Sequence, residues 1–129
     1  MTYIVRPEQK AFTIDGGGGA IPTGAKAWIR VPYKCTITGW EITASPSGSI
    51  VIDVWAGAYG DFPLDVGNTV IDTGSGGVKP TISVNTKAQS VNVDHWTTAI
   101  DAGDYLRINV DSATDVTFVV LILKLDLKP

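Results

Sequence analysis

The chain carries one cysteine and one histidine in 129 residues, and these two scarcities remove much of the chemistry available to a small protein. A single Cys35 excludes a disulfide within the chain and any zinc site built on cysteines. The solitary His95 precedes Trp96 at the start of a predicted strand, where a solvated or capping role is the ordinary one. No Gly-x-Ser-x-Gly elbow is present to position a serine nucleophile. Apolar runs stay short of the roughly 18 residues that cross a bilayer. The opening MTYIVRPE has neither the apolar stretch nor the small-residue cleavage site of a signal peptide, so the product is expected to be made and kept in a cytoplasm until assembly or lysis. Basic charge is also thin, with 10 Lys and Arg against 13 Asp and Glu. No basic stripe interleaved with aromatics is visible along the chain, so neither nucleic acid nor membrane is an expected partner.

A helical repeat is missing too. No helix-sized window places apolar residues every three to four positions, whereas two-residue alternation recurs throughout. Residues 11–15 alternate and stop at four glycines, Gly16–Gly19. Lys26–Val31 reads as a strand ended by Pro32. In Lys34–Thr43 the apolar phase switches between Ile37 and Trp40, and Gly39 at the switch predicts a bulge. Residues 45–48 read as a turn, followed by a strand over Ser49–Trp55. Residues 56–67 read as a long surface loop, rich in glycine and aspartate. Short strands are predicted at 69–72, 81–84, 90–93 and 96–100, with one helical turn at 85–89. Residues 104–111 alternate cleanly, with Leu106, Ile108 and Val110 inward.

The last segment, Val116–Leu127, is apolar on both faces for most of its length. A strand of that kind must be covered on both faces. One cover is the facing sheet; the other is expected to be a second subunit, with Val119, Leu121, Leu123 and Leu125 as the contact, the alternative being the loop Ala56–Gly67 folded over this face within one chain. The fold class is therefore all-β, a single antiparallel β-sandwich or jelly roll. Residues 1–9 are expected as an extended arm, because Pro7 interrupts pairing and polar residues precede the first clear strand, and residues 10–129 as the domain.

Candidate chemistry is sparse. The stretch Gly19–Lys26 lacks the Gly-Lys-Ser/Thr of a phosphate loop, since Ala25 separates Gly24 from Lys26 and a strand follows. Asp101, Asp104, Asp111 and Asp115 lie at strand ends, where turn formation explains them, and no segment matches a calcium loop. No catalytic, metal or cofactor residue is assigned and no enzymatic activity is expected. An aromatic beside carboxylate and amide groups can hold a sugar ring, and Trp is also enriched at subunit contacts. Asp53, Trp55, Tyr59, Tyr105 and Arg107 are accordingly the candidate glycan or partner contacts.

Three blocks carry a resemblance: Cys35–Trp40 (CTITGW), Gly48–Trp55 (GSIVIDVW) and Ala102–Ala113 (AGDYLRINVDSA). With the Phe12–Gly19 opening and the Lys79-Pro80-Thr81 turn, they resemble a module of tailed-phage virion proteins, over roughly Phe12–Leu123. The module occurs at the ends of fibre-like proteins and in short structural proteins. The resemblance implies a virion-exposed, homotrimeric β-domain. Because no long shaft is present, it implies first a capsid decoration (cement) protein bound to the major capsid protein or other virion proteins. Second comes a tail-fibre tip recognising a host surface glycan, and third a free-standing carbohydrate-binding module. No ligand or catalytic residues come with it.

Overall fold

The two-residue alternation forms strands wherever one phase is apolar. A computed structural model describes residues 6–128, all-β and antiparallel throughout, with seven strands: β1 (Arg6–Asp15), β2 (Gly24–Arg30), β3 (Cys35–Gly57), β4 (Thr81–Ser90), β5 (Ala99–Ile100), β6 (Tyr105–Thr114) and β7 (Phe118–Leu127). Three short 3₁₀ turns, at Tyr59–Asp61, Val66–Asn68 and Thr73–Ser75, interrupt the segment between β3 and β4. No helix among them is long and apolar enough to cross a membrane.

The sheet is organised by β3, which runs for 23 residues. Its first half pairs with β7, from Cys35↔Leu127 to Ser45↔Phe118. Its second half pairs with β6, from Ser49↔Thr114 to Gly57↔Tyr105. β4 accompanies both halves, and β5 adds a two-residue pairing at Cys35 and Thr36. β1 extends the β7 limb and β2 extends the β6 limb, giving the order β1-β7-β3-β6-β2. The sheet curls so that both limbs turn their apolar phases into one cluster, including Phe12, Ile14, Ile37, Ile42, Ile52, Ile108, Leu121 and Leu123.

Two irregularities in β3 make this geometry possible. The bulge expected beside Gly39 is present: the register against β7 shifts between Ile37 and Gly39, so Ile37 and Trp40 both reach the core. Residues 45–48, expected as a reversing turn, instead lie inside β3 and bend it. Against β4 the register jumps from Thr43↔Lys87 to Gly48↔Asn85, which leaves 44–47 as surplus length on the convex side. Gly48 is required at the bend, because a Cβ there would collide with the Thr114 carbonyl oxygen. The chain thus passes from one limb to the other without leaving the ladder.

Other expectations are revised. Residues 85–89 continue β4 rather than making a helical turn. Residues 69–72 and 96–100 make isolated bridges, Trp55↔Thr69 and Ile71↔Trp96, and the short β5. Residues 6–9, assigned to an arm, pair with β7 from Arg6↔Leu127 to Gln9↔Lys124. Pro7 is tolerated because β1 is an edge strand. Residues 1–5 of that arm lie outside the described residues.

The largest correction concerns β7. Val119, Leu121 and Leu123 are 0% exposed and Leu125 is 1% exposed within the single chain, so they form core and cannot be a subunit contact. Both faces of the segment are apolar in the sequence, and that pattern does not say which face the curled sheet encloses. The opposite phase, Phe118, Val120 and Ile122, faces outward. Leu123→Ala should therefore lower stability by about 2–5 kcal/mol in urea unfolding, as for other buried leucines. Ile122→Ala, on the outer face, should cost roughly 1 kcal/mol or less, because only part of its surface is buried.

Candidate functional site

The candidate site starts from a buried carboxylate. Asp53 lies on the phase of β3 that faces away from the core, yet it is 1% exposed. It is covered because the segment between β3 and β4 folds back across it. Asp53 Oδ1 accepts hydrogen bonds from the Val54 N–H at 2.9 Å and the Thr69 hydroxyl at 2.6 Å. Its Oδ2 accepts from the Trp55 indole N–H at 3.0 Å, and Lys79 Nζ stands 3.6 Å away. Lys79 also donates to Asp111 at 2.6 Å, and Asp111 in turn accepts from Asn109 at 2.7 Å. A buried carboxylate is tolerated only when its oxygens are satisfied in this way. The Asp111 hydrogen bond, followed by the charges of Asp53 and Asp111, raises the Lys79 ammonium above its ordinary value of 10.5, against the opposing effect of burial.

This knot fixes where the loop lies. Leu64 is buried against Gly57, and its carbonyl accepts a 3.3 Å hydrogen bond from Arg107 Nη1. Arg107 Nε reaches the Lys26 carbonyl at 3.4 Å, where the β2–β6 register shifts between Ala25 and Trp28. The guanidinium carbon then sits 5.0 Å from the centre of the Trp28 ring. Such a cation–π contact contributes about 0.5–1 kcal/mol at an exposed position.

Beyond the bulge, Trp28 lies opposite Arg107 and Arg30 opposite Tyr105, while Ile29 opposite Leu106 faces the core. Alternation therefore sets Trp28, Arg30, Tyr105 and Arg107 on one outer face, with arginines on one diagonal and aromatics on the other. Phe62, brought in by the loop, lies 5.2 Å from Trp28 and 5.5 Å from Tyr105. Tyr59 stands 6.2 Å from Tyr105. Trp28 remains 50% exposed and Tyr59 78% exposed. The described ion pairs involve Lys79 and Lys124; neither Arg30 nor Arg107 takes part in one.

The sequence candidates thus divide. Tyr59, Tyr105 and Arg107 come together on the surface, as a shared patch requires. Asp53 and Trp55 do not join them: Trp55, expected outward, is 7% exposed beneath the folded-back loop. Their shared phase was legible, but the cover comes from residues some 15 to 25 positions downstream. Trp28, Arg30 and Phe62 were missed. The signal for two of them was present, since Trp28 and Arg30 occupy the polar phase of a predicted strand. Phe62 had no local signal, because only the course of the loop brings it in.

Elsewhere, burial pushes the Cys35 thiol above its ordinary value of 9.0, more than Lys10 lowers it, with Asp104 adding to the rise. A buried, protonated thiol is a packing group. His95 is exposed with φ 63°, and its carbonyl accepts from the Asp72 N–H. Among the described residues no three His, Cys, Asp or Glu side chains are grouped to hold a metal.

No protein family matches the chain. No curated protein matches it either. Among solved structures, a chain from the structure of infectious bursal disease virus Gx strain aligns at 13% identity with a TM-score of 0.26, over 96% of this chain and 41% of that one. An overlap of that size carries no argument about fold or function.

The knot yields an ordered set of expectations. Asp53→Ala should cost about 3–5 kcal/mol in equilibrium unfolding at pH 7, since it strips four partners at once. Asp111→Asn should cost nearer 1 kcal/mol, because that pair is open to solvent. Because the folded state raises the Lys79 value, its contribution is complete below pH 10.5 and is lost as pH climbs through the raised value. Melting temperatures of wild type and Lys79→Met should therefore converge in strong alkali.

Proposed function

We propose that the chain is a virion structural protein, a capsid decoration (cement) protein that assembles as a homotrimer and binds capsid subunits, with its curled sheet a member of the sandwich or jelly-roll class. The observation that supports this reading best is the outer face of β7. Phe118 is 42% exposed, and Val120 and Ile122 continue the strip beside it. Their cross-strand neighbours are uncharged for most of the length: Thr13 and Thr43 beside Val120, Ala11 beside Ile122, and Ser45 beside Phe118. Charge enters at the two ends, at Asp15 beside Phe118 and at Glu41 beside Ile122, where Glu41 pairs with Lys124 at 3.8 Å. The solvated face of an antiparallel sheet is ordinarily polar, so an apolar strip along its middle marks a surface that a partner covers. Three copies related by closed symmetry cover such strips mutually.

A tail-fibre or receptor-binding tip is the second reading. It is favoured by the exposed Trp28 and Tyr59 with the half-buried Phe62, Tyr105 and Arg107 beside them, a set adhesive in composition and built on a rigid strand pair.

Sedimentation of the purified protein should give a trimer at micromolar concentration. Ile122→Asp should give a folded monomer with an unchanged circular dichroism spectrum, whereas Leu123→Asp should unfold the chain. Decoration requires hundreds of copies on each particle, measured by quantitative mass spectrometry of purified virions. A wild-type monomer would remove the trimer, and a few tens of copies would move the protein to the tail.

A further inference from the structure

We propose that the face made by Trp28, Arg30, Phe62, Tyr105 and Arg107 binds an acidic glycan, with a pyranose ring packed on Trp28, the sugar carboxylate held by Arg107 and its approach favoured by the charge of Arg30. The inference uses the binding patch of the receptor-tip reading but does not depend on where in a particle the protein sits. Three observations carry it.

The first is charge. The chain has a net charge of −3, yet both arginines of this face are free of carboxylate partners among the described residues. In an acidic chain, free cations gathered on one face form a local attraction for an anion. Their backbones lie on one cross-strand diagonal, about 7–8 Å apart, with the Arg30 guanidinium beside Gly103 and that of Arg107 on the Lys26 and Leu64 carbonyls, so the face carries two separate positive heads. A planar guanidinium binds a carboxylate through two parallel N–H donors, which fits it to this anion better than an ammonium.

The second is preorganisation. Two of the five donors of Arg107 are anchored, Nε on the Lys26 carbonyl and Nη1 on the Leu64 carbonyl. Its Nη2 has no acceptor in the protein and is not among the buried unpaired atoms, so it opens to solvent. Trp28 is held by the guanidinium and by the edge of Phe62, and still has half its surface free. A ring and the charge lying over one of its faces are therefore fixed before any ligand arrives, which leaves the other face for a sugar and lowers the ordering cost of binding.

The third is size. Five or six side chains make a footprint suited to one or two sugar rings, whereas a stable protein contact engages about 20–30 residues on each side. A single nucleic-acid strand also stacks on aromatics, but it brings a phosphate with every base and is held by a longer cationic groove. Two arginines in a chain of this net charge match one or two anionic groups better.

The test uses the full chain and calorimetric titration at low salt against oligosaccharides of galacturonate, glucuronate and sialic acid, each beside its methyl ester. The ester keeps the ring and removes the charge. At least one acid should bind, its ester roughly tenfold or more weakly, and binding should weaken as salt rises. Trp28→Ala should abolish or strongly reduce binding and Arg30→Gln should weaken it several-fold at low salt, each leaving the unfolding midpoint near that of wild type. Arg107→Lys should weaken binding too, because it keeps charge but loses the fork. Equal affinity for acid and ester would overturn the acidic assignment while leaving a glycan site. No binding of any sugar at millimolar concentration would overturn the glycan site as well. Tighter binding of a twelve-residue oligothymidylate than of every acid would overturn the ligand class.

Discussion

Every strand pairing except β1–β7 and β2–β6 involves β3, and that strand carries the constraint on which the remaining structure depends. A strand of 23 residues cannot stay straight and still bury its apolar phase on both sides of one small core. The surplus residues at 44–47 absorb the bend, and Gly48 admits the β6 backbone at closest approach. β6 and β7 then lie along successive halves of β3 and diverge. That divergence makes two limbs, and the limbs close over Ile42, Ile50, Ile52, Leu121 and Leu123. The β7 leucines are core for this reason, and the strip at Phe118, Val120 and Ile122 is left on the outer face.

Asp53 acts at a second level. Its carboxylate faces away from the core and would be hydrated on an open sheet. Buried, it must be satisfied, and the groups that satisfy it come from Thr69 and Lys79 as well as the neighbouring Trp55. Meeting that requirement draws the loop across β3 and the bulged edge of β6. Leu64 and Phe62 are placed as a consequence, the first anchoring Arg107 and the second bracing Trp28 and Tyr105. The surface patch therefore inherits its rigidity from a polar interaction on the outer side of the sheet, across the strand from the apolar cluster.

The two surfaces serve different physical purposes, which is why both proposals can hold for one molecule. The β7 strip is apolar, suited to a contact with other copies whose strength comes from excluded water. The β2–β6 face mixes rings with cations on long side chains, suited to a small polar ligand recognised by orientation and charge. The strip lies on the β1–β7 limb and the patch on the opposite β6–β2 limb. A trimer closed through the first would leave the second open.

The sequence by itself determined the class of structure and much of its detail. Alternation with period two, interrupted by glycine and proline, permits no long helix, and the phase switch around Gly39 marks the bulge without reference to any partner. It also placed Tyr105 and Arg107 on the outward phase of β6, since each strand's phase is a local property. Tertiary structure alone decided which apolar face of β7 is enclosed, because both faces satisfy the same local pattern and only the curl of the sheet tells them apart. It alone decided that Trp55 is covered and Trp28 is not. Both stand on polar phases of their strands; what separates them is the path of a loop pinned by Thr69 and Lys79. Such pairings join positions far apart in the chain, and local alternation carries no trace of them.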